Sequence, residues 1–157
     1  MLLAIDPGDK QSAYVVMDEY SPVHFDIIPN AQLLERFYAE GYAFYDHLAI
    51  EMIANMGMPA VGATLFETAF WVGRFWEASD SPRRKLIYRK DEKMNLCGSM
   101  RAKDANIRQA LIDRFGIVGK KKTPGWFYGF KSDIWSAYAV GVTYLDALNG
   151  DYTIKEI

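Results

Sequence analysis

Short apolar segments, each closed by a turn residue or a carboxylate, constrain this chain more than any other feature. Residues 2–6 (LLAID) read as a buried strand that stops at Pro7-Gly8, a turn signal. Residues 12–18 (SAYVVMD) read as its hairpin partner, and residues 23–28 (VHFDII) alternate as a third strand. Asn30 is placed to cap a helix over 31–41, where Leu33, Leu34 and Phe37 share a face and Gly41 ends the run. Residues 46–51 (DHLAIE) form a fourth strand that ends in a carboxylate. Residues 60–78 are helical and apolar nearly all round, and residues 85–89 (KLIYR) form a fifth strand. Residues 102–115 are amphipathic, with Ile107, Leu111 and Phe115 spaced four apart and Gly116 as the stop. A last helix over 132–148 is expected to be capped by Ser132, with Asp133 in its first turn. The order is three strands, helix, strand, helix, strand, helix, helix. It predicts an α/β fold with a mixed sheet and helices on its faces, in a single domain over 1–157.

Half the residues are hydrophobic, enough to build one core and to exclude a disordered chain. A single cysteine, Cys97, rules out an internal disulfide, and with only two separated histidines a structural zinc site is not expected. The N-terminus MLLAIDPG shows no secretory pattern, and the apolar stretch 58–75 is broken by Glu67, Arg74 and two glycines, so no membrane span is expected. These features predict a cytoplasmic protein.

The net charge of −2 hides a strong asymmetry. Residues 83–122 hold 13 Lys and Arg against 4 Asp and Glu, whereas residues 1–82 hold 3 against 12. A basic block beside an acidic remainder suits a phosphate-binding surface next to a carboxylate site. Read alone, it also suits a solvated helix-loop surface.

Three carboxylates stand at informative places. Asp6 ends the first strand, Glu51 ends the fourth, and Asp133 opens the last helix. Strand ends and helix N-termini are where α/β sheets gather ligands. If strands one and four are neighbours, Asp6 and Glu51 project from one edge. Oxygen donors suit Mg²⁺ or Mn²⁺, and a pair of such ions can activate water and stabilise a leaving oxygen in phosphodiester cleavage. Singly, each has a plainer reading: a turn residue, a solvated strand end, a first-turn helix carboxylate. Their order and spacing together carry the weight.

At this point the residues resemble a known family. AIDPG at 4–8 resembles the opening motif of the RuvC family of Holliday junction resolvases, and LAIEMI at 48–53 its second motif, a strand ending in a catalytic Glu. Residues 88–111 resemble its strand, lysine-bearing loop and helix, and KSDIWSAYAVGVTYL at 131–145 its final helix. The resemblance implies a ribonuclease H-like mixed five-stranded sheet flanked by helices. It implies that Asp6, Glu51 and Asp133 hold two Mg²⁺ ions, with Mn²⁺ able to substitute. It also implies two catalytic lysines: Lys93, in the loop after the fifth strand, and Lys103, at the start of the next helix. The DNA-facing cations are expected to be Arg89, Lys90, Lys93, Arg101, Lys103, Arg108, Lys120, Lys121, Lys122 and Lys131.

Two departures stand out. The family's fourth acidic position falls here on Ser136, a weaker ligand that would act feebly or through water, and Asp9 is near enough to Asp6 in sequence to compensate. The aromatic wedge that follows the second motif in some members is replaced by MIANMGM, with Ala54 at its place and Met56 or Met58 as apolar substitutes. TPGWFYGFK at 123–131 offers aromatics that either stack on unpaired bases or cover the core edge. The surplus of aromatics in 60–78 (Phe66, Phe70, Trp71, Phe75, Trp76) suggests a second buried face, hence a homodimer, which suits a two-fold-symmetric junction. His24 and His47 read as structural, and Cys97 as a small buried residue. The expectation is a metal-dependent, structure-selective DNA endonuclease, in a host cytoplasm if phage-encoded. The alternatives are a branched-DNA-binding protein of the same fold with weak or lost cleavage, and a ribonuclease H-like nuclease acting on RNA.

Overall fold

The computed structural model describes residues 1–54 and 62–154. Met56 and Met58, and the first two residues of the helix expected at 60, lie outside the described residues.

β-branched and aliphatic runs build the sheet. β1 (Leu2–Asp6), β2 (Gln11–Asp18) and β3 (Ser21–Pro29) form an antiparallel meander. β4 (His47–Met52) and β5 (Arg83–Tyr88) join on the other side of β1, both parallel. The sheet is mixed and five-stranded, in the order β3-β2-β1-β4-β5. The helices are α1 (Asn30–Ala39), α2 (Ala63–Ala78), α3 (Arg89–Cys97), α4 (Asp104–Phe115) and α5 (Ile134–Leu148). A single 3₁₀ turn spans Tyr42–Phe44, and a two-residue-per-strand hairpin, β6 (Gly119–Lys120) with β7 (Thr123–Pro124), links α4 to α5.

The two-residue period of the strands sends alternate side chains into two cores. In β1, Leu3 and Ile5 join Leu33, Phe37, Val72 and Phe75 beneath α1 and α2. Leu2 and Ala4 face the other way and pack with Ile107, Leu111, Tyr138 and Val142 beneath α4 and α5. Helix α5 is buried over most of its circumference. Gly141 lets it approach closely, because a Cβ there would fall 3.1 Å from Ala4 Cβ and closer still to the Met17 sulfur.

Three local expectations need correction. Asn30 does not cap α1 with its side chain. Its amide instead donates to Gly8 O (2.9 Å) and accepts from Ser12 Oγ (2.6 Å), bracing the turn between β1 and β2. Asn is chosen by tertiary hydrogen bonds at a position where it also looks like a cap. Ser132 does not cap α5: its φ is 47°, and Asp133 takes the N-cap position. The segment after β5 is not a loop. It enters α3 at once, so Lys93 is helical, and Gly98 at φ 65° ends the helix.

Candidate active site

Parallel register places the first two carboxylates together. Ile5 pairs with Ile50, so Asp6 and Glu51 are the next residues on adjacent central strands. By alternation Asp6 shares the face of Leu2 and Ala4, and Glu51 that of Ala49, which is the α5 face. Helix α5 runs opposite to these strands: Tyr144 near its end hydrogen-bonds His47 Nδ1 (2.7 Å) at the start of β4. Its N-terminus therefore lies over the strand ends that carry Asp6 and Glu51. Asp133 stands there, exposed, its side chain unused as a cap.

A fourth carboxylate, unforeseen in the sequence, completes the group. Glu92 lies one turn into α3, directly after β5, and is 0% exposed. Its Oε1 accepts from Arg89 Nη1 (3.1 Å), while Oε2 has no hydrogen-bond partner among the described residues. Burial pushes the Glu92 carboxyl well above the usual carboxylate range, and Glu51 beside it adds to the rise. Asp6 is pushed up to about 10 by burial, then by Glu51 and Asp133, with Arg89 opposing. Both shifts report anionic oxygens held together in a poorly solvated space.

Among the described residues, no three Asp, Glu, His or Cys side chains are grouped as a ready metal-ligand set. The carboxylates nonetheless act on one another, with Glu51 raising both Asp6 and Glu92. An all-oxygen donor set with an unmatched buried oxygen fits a hard divalent cation such as Mg²⁺ or Mn²⁺.

Arg89 is the internal countercharge. One arm meets Glu92 and the other meets Asp104 at the start of α4. Beside it opens a cleft of about 210 Å³, lined by Arg108, Asp104, Trp135, Asp133 and Ser136 among others. Ser136 thus does sit one helical turn from Asp133 at the same opening. Arg108 lies over the Trp135 ring at 5.1 Å, which fixes its guanidinium at the cleft wall. A larger hollow, about 460 Å³, lies at the far end of the sheet by Met1, Tyr20, His47 and Asn149 and contains none of these groups.

The other basic residues surround this end unevenly. Lys93 follows Glu92 and is half-buried, as is Lys90, whose ammonium lies 5.9 Å from the Tyr88 ring. Lys103 is exposed at the N-cap of α4, where its backbone N–H donates to Asn106 Oδ1 (2.9 Å). Arg101 and Lys131 are exposed, and Lys120, Lys121 and Lys122 project from the β6–β7 hairpin. Asp9 is half-buried at the β1–β2 turn. The aromatics of 123–131 divide. Phe127 and Phe130 are core residues packed on Tyr138, and Trp126 stacks on Phe115 while donating to Tyr138 Oη (3.1 Å). Tyr128 faces solvent. His24 contacts Arg36 and the Tyr14 ring, and Cys97 is half-buried.

The sheet order and the helices on both faces are those of the ribonuclease H-like fold. Within that fold the chain is similar to two solved structures of RuvC. One is T. thermophilus RuvC in complex with Holliday junction substrate, with a TM-score of 0.66 and 16% identity over 99% of this chain and 98% of that one. The other is a Thermus thermophilus RuvC structure, with a TM-score of 0.63 and 17% identity over 99% of each chain. The chain therefore has a RuvC-like fold. No protein-family model matches it, and no curated protein does. No helix among the described residues is long and apolar enough to cross a membrane.

Proposed function

We propose that this protein is a divalent-metal-dependent endonuclease that cleaves branched DNA, with four-way junctions as its substrate. The observation that carries the reading is the pairing of Asp6 with Glu51 at the ends of adjacent parallel strands, beneath the α5 N-terminus that bears Asp133. A bound pair of Mg²⁺ ions would supply Lewis acidity and an activated water. Asp6, Glu51 and Asp133 would hold them. Arg108, braced on Trp135, would receive a phosphate at the cleft wall, and Lys93 and Lys103 would stabilise the negative charge that develops on it. The lysine hairpin and Lys131 would track the DNA backbone away from the scissile bond. Exposed Phe66 and Phe70 on α2 would be covered in a homodimer. Such a protein would work in the cytoplasm, a host's cytoplasm if phage-encoded.

The test is cleavage of a synthetic four-way junction in Mg²⁺, with linear duplex and RNA–DNA hybrid alongside. Junction cutting should be abolished by Asp6→Asn and by Glu51→Gln, and Lys103→Ala should lower turnover by about 100-fold. Activity that survives Asp6→Asn would sink the assignment. Preference for the hybrid would move the substrate to RNA. Tight junction binding without cutting in Mg²⁺ or Mn²⁺ would mark a binding protein, a reading motivated by the hydroxyl of Ser136 in place of a carboxylate.

A further inference from the structure

We propose that Glu92 is the fourth carboxylate of the metal site, filling from α3 the role for which α5 offers only the hydroxyl of Ser136. The inference rests on the metal-dependent reading above and names a ligand that is not among the three carboxylates the resemblance implied.

Three observations carry it. The first is place. β5 pairs in parallel with β4, with Glu51 opposite Ile87 and Met52 opposite Tyr88, and α3 begins at the very next residue, Arg89. Glu92 stands one helical turn into α3, close enough to Glu51 and Asp6 for both carboxylates to raise its own. The second is burial without compensation. Glu92 is 0% exposed, yet among the described residues its Oε2 has no donor, and its one cationic partner there, Arg89, is shared with Asp104. A buried carboxylate facing other carboxylates on one shared guanidinium is an expensive arrangement unless something else neutralises it. A dication among Asp6, Glu51 and Glu92 supplies that charge, and its oxygen preference matches the donor set. The third is support. Asn95, one turn on from Glu92, donates to Asp146 Oδ2 (2.8 Å), and Tyr152 Oη donates to Asp91 Oδ1 (2.9 Å). Side chains on both sides of Glu92 thus fix the rotation of α3. A carboxylate held in this way is positioned, not merely tolerated.

Mn²⁺ titration by calorimetry or by spin-resonance signal, without DNA, reads the site directly. Wild type should bind Mn²⁺, and Asp6→Asn should lose it. Glu92→Gln should weaken binding about 10- to 100-fold, and more than Ser136→Ala does. Melting the same proteins in chelator separates ligation from support: Glu92→Gln should melt no lower than wild type, because it removes a buried charge that has only a shared guanidinium, among the described residues, to oppose it. Unchanged Mn²⁺ affinity in Glu92→Gln overturns the proposal, whether or not the variant melts lower, because Glu92 is then only Arg89's partner. If Glu92→Gln does not fold, Glu92→Asp replaces it. The shortened carboxylate should fold and weaken Mn²⁺, and undiminished affinity there overturns the proposal equally. Absence of Mn²⁺ binding by wild type would instead overturn the metal reading on which this one rests.

Discussion

Asp146 shows how single residues hold this molecule together. It is buried near the end of α5 and accepts two hydrogen bonds from Arg114 (both 2.8 Å), one from Asn95 and one from Tyr20 (2.7 Å). Burial raises its carboxyl, but the bonds from Arg114, Asn95 and Tyr20 outweigh burial and leave it below the ordinary carboxylate range. Its stabilisation is therefore in force above the unfolded-state pKa and is lost as pH falls through the depressed folded value. Asp146→Asn should cost about 2 kcal/mol at neutral pH and flatten the acid limb of the stability curve. Arg114→Met should cost a similar amount, about 1–3 kcal/mol, because it leaves the buried carboxylate with only Asn95 and Tyr20 of these donors. Denaturant melts across pH 2–7 (roughly the carboxylate range) check both, and equal losses at every pH would contradict the linkage. Asp6 runs in the opposite sense. Its pKa is raised by burial and then by Glu51 and Asp133, so the folded state keeps a proton that the unfolded chain releases. Metal-free stability should decline as pH rises from about 4 toward 10.

Among the elements, the turn between β1 and β2 matters most for the site, because it follows Asp6 at once. Gly8 is required there: a Cβ would meet Gln11 O, a backbone atom, at 2.3 Å. Asn30 and Ser12, both buried, tie that turn to the start of α1. Asn30→Ala should cost about 1–3 kcal/mol through groups left without partners, and Gly8→Ala a similar amount through forced backbone movement. Chemical melts measure the loss, and wild-type stability in Asn30→Ala would show the bracket to be idle. The strands were legible in the sequence because their period and their turn residues agree, and the register then placed Asp6 beside Glu51. Helix α3 was not legible. Arg-Lys-Asp-Glu-Lys shows no apolar period and reads as solvated charge, so Glu92 went unnoticed. The available signal was faint: Glu92, Asn95 and Leu96 share a helical face, and Leu96 packs against the core. Asn30 and Ser132 misled for a related reason. Both are residue types that suit caps, and each is fixed here by something else, one by tertiary hydrogen bonds and one by a backbone with positive φ.

For the whole molecule, both faces of the sheet are covered, yet α2 leaves Phe66 69% and Phe70 63% exposed while burying Val72 and Phe75. Arg74 lies over the Trp71 ring at 4.4 Å and 5.7 Å from the exposed Phe70 ring. The aromatic surplus noticed in the sequence is real, and the homodimer proposed from it makes a direct prediction. Sedimentation should give a dimer for wild type and a monomer for the double variant Phe66→Glu, Phe70→Glu, with the circular dichroism spectrum unchanged. A wild-type monomer at high concentration would remove the dimer.

Arg89 has a consequence of timing. With one arm on Glu92 and the other on Asp104, it supplies positive charge to the acidic end of the sheet from within the chain itself. On the proposed metal-dependent reading, folding would then not have to wait for an ion, as it does in small domains that collapse only around their metal. The chain would be able to fold in metal-poor surroundings, and loading would be a separate, later and reversible event. An arriving cation would join a countercharge already in residence. Cellular supply of the ion would then govern when the protein acts, without governing whether it survives.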